Sequence, residues 1–188
     1  MSEPKVATGR RLFFALWPHA QTRSKIVAQT LDFVTHSKGR AIPEANLHVT
    51  VSFLGSIANE RLAEVQTAGS EVANVPAFEL TFDRIESVRR SRILWLTADA
   101  PRPLLELVRR LQNKALSQQP QSQREDFIAH VTLARDVQRL NREMHIEPIQ
   151  WTADELVLVE SQRGPSGSSY SILDRWPLQT NLSSQTPR

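Results

Sequence analysis

Apolar and polar positions alternate with a period of two over residues 46–55: Leu47, Val49, Val51 and Phe53 share one side, and His48, Thr50 and Ser52 share the other. That period is the mark of a strand with one buried face. Residues 78–82 and 93–97 repeat the pattern around a polar turn and predict a hairpin, while 128–134, 155–161 and 170–173 predict three more strands. The aromatic run from Arg11 to Trp17 is stopped by Pro18 and suits a buried strand. Between these segments the period lengthens. Ile26, Val27, Thr30, Leu31 and Val34 recur at spacings of three and four and predict a helix over 20–35, ahead of Gly39. Leu62, Val65, Gln66 and Gly69 mark the inner stripe of a second helix over 59–73. Leu104, Leu107, Val108 and Leu111 mark a third over 101–116, opened by Pro101 and Pro103. The Gln/Ser-rich stretch 117–123 reads as a loop, residues 164–169 as a Gly/Ser turn, and 179–188 as a frayed tail. The polar segment ending near Pro148 carries no period that assigns it.

Composition narrows the class. With 188 residues, 40% of them hydrophobic, 7 Phe and 4 Trp, the chain can bury a core, and whole-chain disorder is excluded. One domain, or one domain in two lobes, is expected. The longest apolar run, Leu12 to Trp17, is far short of the ~20 residues of a membrane-spanning helix. Residues 1–5 show no secretory leader, so the expected location is the cytoplasm. Zero cysteine removes disulfides, thiolate catalysis, iron–sulfur clusters and cysteine zinc sites. The net charge of +3 permits an anionic partner without demanding one. Arg84, Arg89, Arg90 and Arg92 crowd the hairpin turn, which reads as a solvated basic loop, with a phosphate-backbone contact as the alternative.

The chemistry lies in a duplication. His-Val-Thr followed by an apolar residue occurs at 48–51 and again at 130–133, each copy in an alternating strand after a helix-bearing unit. Two lobes follow from this approximate internal repeat. In each copy the imidazole and the hydroxyl share a strand face, about 6.5–7 Å apart, and the valine between them points inward. Lobes packed with those faces together would surround one tetrahedral anion with two His and two Thr. Opening a phosphodiester needs a base for water, an acid for the departing alkoxide, and donors to the non-bridging oxygens. An imidazole pair near pKa 6.5 supplies the first two, and neutral hydroxyls supply the third. A single His-x-Thr would be an ordinary strand feature. The identical polar face in both copies is what points to a site. A metal reading has only the two His, because no Asp or Glu shares their strand faces, so neither metal nor cofactor is expected. His19, His36 and His145 are expected on the surface.

The paired motifs, together with 11–16, 92–96, Phe127, Arg135, 161–170 and Trp176, resemble bacterial RNA 2′,3′-cyclic phosphodiesterases of the two-histidine (2H) phosphoesterase superfamily, also called the 2′-5′ RNA ligase family. The resemblance covers nearly the whole chain. It implies an α+β fold spanning 1–178: a bilobal, pseudo-two-fold arrangement of two antiparallel sheets with helices outside and a central cleft lined by both motifs. It implies hydrolysis of a terminal 2′,3′-cyclic phosphate to a 2′-phosphomonoester, with His48 as proton donor to O3′ and His130 as proton acceptor from water. Thr50 and Thr132 would hold the phosphate. The family usually has proline before the second histidine where this chain has Ala129, a change that removes no reactive group. Arg135 matches the family's arginine beyond the second motif and is a further phosphate-binding candidate. Phe53 and Tyr170 are candidates for stacking on a terminal base, although strand parity sets Phe53 with the inward valines. The expected partner is RNA with a cyclic phosphate end, or a small cyclic phosphate, acted on by a monomer away from any membrane. The competing readings are an RNA-end-binding protein without turnover and a reversible 2′-5′ RNA ligase.

Overall fold

The computed structural model describes residues 9–114, 127–139, 143–164 and 167–180. The expected loop at 117–123, the end of the third helix at 115–116, the centre of the Gly/Ser turn and the tail from 181 onward lie outside the described residues. Nine strands and three helices follow in the order β1 (Gly9–Leu16), α1 (Ala20–Ser37), β2 (Arg40–Ala41), β3 (Val49–Ala58), α2 (Leu62–Val72), β4 (Phe78–Val88), β5 (Ile93–Ala98), α3 (Arg102–Asn113), β6 (Ala129–Arg135), β7 (Met144–Ala153), β8 (Glu155–Gly164) and β9 (Gly167–Pro177). The α+β class expected from the sequence is the one observed.

The strands run β7-β4-β5-β6-β3-β1-β8-β9, with β2 added on β6, and all the named pairings are antiparallel. Two sheets were expected. Hydrogen bonding joins their counterparts, β7-β4-β5-β6 and β3-β1-β8-β9, into one nine-stranded sheet through a narrow seam, the single register pair Val49–Val131. The physical reason is edge protection: each motif strand would be the open edge of its own half, and β6 is covered by the seam pair with β3 and by β2 at Arg40–Arg135 and Ala41–Ala134.

All three helices bury their apolar faces in one core against one face of the sheet. Ile26 of α1, Val65 and Val72 of α2, and Leu104, Leu107, Val108 and Leu111 of α3 pack with Leu12, Phe14, Val49, Leu96, Val131 and Leu158. The α1 stripe departs from expectation at one position: Leu31 is 57% exposed, while Thr30 is buried and donates its hydroxyl to the Ile26 carbonyl (2.8 Å). The helix ends at Lys38, which takes the left-handed conformation (φ 51°) one residue before Gly39. On the opposite sheet face a smaller cluster of Phe13, Ala15, Val157 and Val159 packs with Trp17, Tyr170 and Ile172.

Two boundaries differ from the sequence reading. The unassigned segment before Pro148 is the outermost strand β7, pairing with β4 from Phe78–Ala153 to Ile85–Met144. An edge strand tolerates both the proline and the polar outer residues that hid it. The chain also stays docked one residue into the expected tail: the Gln179 N–H donates to the Val75 carbonyl (2.8 Å) and its carbonyl accepts from the Ala77 N–H (2.7 Å).

Candidate active site

The seam pair Val49–Val131 sets the site. In an antiparallel pair, the residue after one valine lies across from the residue before the other. His48 is thereby set against Thr132 and Thr50 against His130, with all four on the sheet face away from the helices. They line one cleft of about 700 Å³, which their strands share with Arg11, Phe53, Trp95, Arg135, Ser161 and Tyr170 among others. Among the described residues no Asp or Glu lines it.

Both imidazoles are held in the same way. His48 donates Nδ1–H to the Asn46 carbonyl (2.7 Å), and His130 donates Nδ1–H to the Ile128 carbonyl (2.9 Å). Each acceptor lies two residues before its histidine. In the neutral ring this makes Nε2 the acceptor. The Thr50 hydroxyl donates to His48 Nε2 at 3.1 Å. Each ring also rests on a tryptophan: Trp17 stacks on His48 with centroids 5.1 Å apart and planes within 2°, and Trp95 on His130 at 4.0 Å and 24°. Phe13 and Tyr170 close two further sides of His48 at 5.1 and 5.3 Å.

These surroundings make the pair electrostatically unequal. Burial lowers the His48 pKa to about 4, the Asn46 carbonyl opposes the shift, and repulsion from His130 and Arg135 adds to it. Burial also lowers His130, as does Arg135, but the Ile128 carbonyl and the Glu86 carboxylate act in the other direction. Glu86 is held by the buried Thr97, whose hydroxyl donates to Glu86 Oε1 at 2.8 Å. Thr97 is the register partner of His130, and Glu86 that of Trp95, so a carboxylate stands behind one imidazole. The groups named around His48 include no such counterion.

Two bulges complete the cleft and correct the parity argument. β1 pairs Phe14 with Ser52 and Ala15 with Thr50, leaving Val51 as an extra residue in β3. β5 pairs Leu94 with Ala134 and Trp95 with Thr132, leaving Leu133 extra in β6. A bulge reverses the alternation beyond it. Phe53, which strict alternation placed inward, therefore faces the cleft at 38% exposure, and Arg135 swings in at the equivalent position of the other motif. Tyr170 meets the cleft edge-on to His48 and to Phe13.

All seven expected site residues, His48, His130, Thr50, Thr132, Arg135, Phe53 and Tyr170, thus line one cleft. His19, His36 and His145 are exposed, as expected. The basic turn divides: Arg84 is ion-paired with Asp99 (2.5 Å) and Asp83 (3.3 Å), and Arg92 donates to the Val137 and Asp136 carbonyls, while Arg89 and Arg90 are exposed. Sequence reasoning missed the two stacking tryptophans, the Glu86–Thr97 pair and Arg11. The one readable signal was the strand alternation that sets Trp95 beside Thr97.

A seam of two His-Val-Thr strands whose polar side chains line one cleft places the chain in the two-histidine phosphoesterase class. The model of the 2′-5′ RNA ligase superfamily matches residues 16–165, which include both motifs. The chain belongs to that superfamily. It is 30% identical over 183 residues to the RNA 2′,3′-cyclic phosphodiesterase of Escherichia coli K12, covering 95% of this chain and 99% of that one. It is 29% identical over 137 residues to the enzyme of the same name from Archaeoglobus fulgidus, covering 71% and 76%. Solved structures agree: E. coli LigT superposes with TM-score 0.78 in its apo form (28% identity, 91% and 98% covered) and 0.77 in complex with 3′-AMP (28%, 90% and 98%).

Proposed function

We propose that the protein opens 2′,3′-cyclic phosphate ends of RNA to 2′-phosphomonoesters by acid–base catalysis between His48 and His130, without a metal. The observation that carries this is the Val49–Val131 register, which brings both imidazoles and both threonine hydroxyls to one cleft. In the proposed reaction His130 Nε2 takes a proton from water as its oxygen bonds phosphorus. The P–O3′ bond breaks and O3′ leaves with a proton from His48, so that a 3′-hydroxyl and a 2′-phosphate result. Thr50 and Thr132 donate to the non-bridging oxygens, and Arg135 offsets the charge that gathers on them.

The unequal surroundings support this direction. Glu86 favours the cationic form of His130 and makes it the better base. An imidazolium at His48, held among aromatic rings, is a strong acid, and the phosphate anion supplies the countercharge that lets it form. Phe53 and Tyr170 offer apolar surface for the terminal base. E. coli LigT has been solved with phosphate and with 3′-AMP, ligands that carry the groups this cleft is proposed to hold.

The test is turnover of an oligonucleotide ending in a 2′,3′-cyclic phosphate. His48→Ala and His130→Ala are each expected to lose about 10²–10⁴ in rate, and the wild-type rate is expected to persist in excess chelator. Wild-type turnover by either variant would refute the acid–base pair, and a chelator-sensitive rate would refute its metal independence.

A further inference from the structure

We infer that Arg11 forms a second phosphate subsite in this cleft, one that takes the phosphodiester on the 5′ side of the terminal nucleotide. The inference rests on the proposed reaction and deepens it by naming the side chain that reads the chain on the 5′ side of the reacting end.

Arg10 and Arg11 are neighbours with opposite fates. Arg10 pairs with Glu160 at 3.6 Å. Arg11 shares the parity of Phe13 and Ala15, faces the cleft and is exposed, and among the described residues it has no carboxylate within ion-pair distance. Its guanidinium carbon stands 5.9 Å from the centroid of the Phe53 ring, which holds the cation at the cleft wall without neutralising it. Ser161, one residue past the Leu12–Glu160 pair of β1 and β8, lines the same stretch and supplies a hydroxyl.

Position separates this cation from the reacting phosphate. Ala15 is the register partner of Thr50, and Arg11 lies four residues further along β1, about 13 Å away. Arg135 already stands close enough to both histidines to lower their pKa values. The cleft thus holds two cations at separate places, one beside the histidines and one beyond Phe53. A nucleotide whose cyclic phosphate lies in the first and whose base lies along Phe53 directs its 5′ oxygen toward the second. A guanidinium is suited to a diester there, because it offers paired donors to two phosphate oxygens.

The experiment compares three substrates: adenosine 2′,3′-cyclic phosphate, the same nucleotide with a 5′-phosphate, and a dinucleotide ending in a 2′,3′-cyclic phosphate. The wild type is expected to prefer the last two over the first by roughly tenfold or more in kcat/KM. In Arg11→Ala that preference is expected to collapse toward one, and Arg11→Lys to retain part of it. A parallel calorimetric titration with adenosine 3′,5′-bisphosphate and 3′-AMP reads the same preference as a ratio of Kd values without turnover. A wild type indifferent to the second phosphate overturns the inference. So does an Arg11→Ala enzyme that loses equally on all three substrates, since that would make Arg11 a stacking group. A gain confined to the 5′-phosphorylated mononucleotide rules out the diester as the ligand. An enzyme that binds with the expected ratio but turns over nothing would instead refute the proposed reaction and leave the subsite standing.

Discussion

The indole of Trp17 lies flat on the imidazole of His48, with planes within 2° and centroids 5.1 Å apart. Contact on this scale strips water from the ring and is part of the burial that takes its pKa from 6.5 to about 4. With His130 lowered as well, the free protein near neutral pH carries little of the single proton that the proposed reaction needs on the pair. The value of kcat/KM is therefore expected to peak below pH 6.5 and to fall as pH rises through neutrality. The kcat profile should extend to higher pH, because a bound phosphate anion favours imidazolium. Trp17→Ala wets the ring and is expected to move the acid limb of kcat/KM upward in pH, because His130, the more basic of the pair, holds the first proton and sets the descending limb. A wild-type kcat/KM optimum above pH 7, or an acid limb that Trp17→Ala leaves in place, contradicts this account.

The same burial ties folding to pH. His48 binds its proton near 6.5 when unfolded and near 4 when folded, so between those values the unfolded state holds more protons and stability rises with pH. The contribution is fully present above 6.5 and is lost as pH falls toward 4, amounting to roughly 3 kcal/mol at most. Urea unfolding at pH 6.5 and pH 4 measures it. His48→Asn is expected to lose less stability than the wild type over that interval, since carboxylate titrations are common to both. Equal losses would show that the ring is not held neutral by the fold.

Glu86 is expected to act on His130 alone. Removing its charge with Glu86→Gln takes away an attraction that favours imidazolium, so the His130 midpoint falls further below 6.5 while that of His48 does not fall with it. Thr97→Val frees the carboxylate from its 2.8 Å hydrogen bond and should move His130 in the same direction by less. Histidine ring resonances followed by NMR across pH report both midpoints. A merely structural role for Glu86 predicts unchanged midpoints or a common displacement of the two.

Much of this site was legible because the chemistry repeats in the sequence. Two copies of His-Val-Thr on alternating strands reveal the four polar side chains, and the antiparallel seam realises them at a single register pair. What the alternation could not show is where it breaks. Val51 and Leu133 are ordinary strand residues, and only cross-strand pairing makes them bulges, so the turn of Phe53 and Arg135 toward the cleft is a tertiary fact. The tryptophans escaped notice for a related reason: Trp17 follows β1 and Trp95 lies on β5, so their stacks on the histidines depend on contacts between elements. The edge strand β7 was hidden because its outer residues are polar and its proline argues against a central strand.

Gly69 tests how the helical layer supports the sheet from the far side. A Cβ on this α2 residue would lie 2.5 Å from Cη2 and 2.6 Å from Cζ3 of Trp176 on β9, closer than any real contact, and that indole is itself seated 6.0 Å from Phe14. Helix propensity alone favours alanine over glycine by about 1 kcal/mol. Overpacking typically costs about 1–3 kcal/mol, and the half-buried ring can yield only by disturbing its packing on the core at Phe14. Gly69→Ala is therefore expected to lower stability in urea unfolding. In a Trp176→Leu background the obstruction is gone, so the same substitution should change sign and stabilise by about 1 kcal/mol, the bare propensity gain. A destabilisation that persists in that background would place the constraint in the helix backbone and not in the indole.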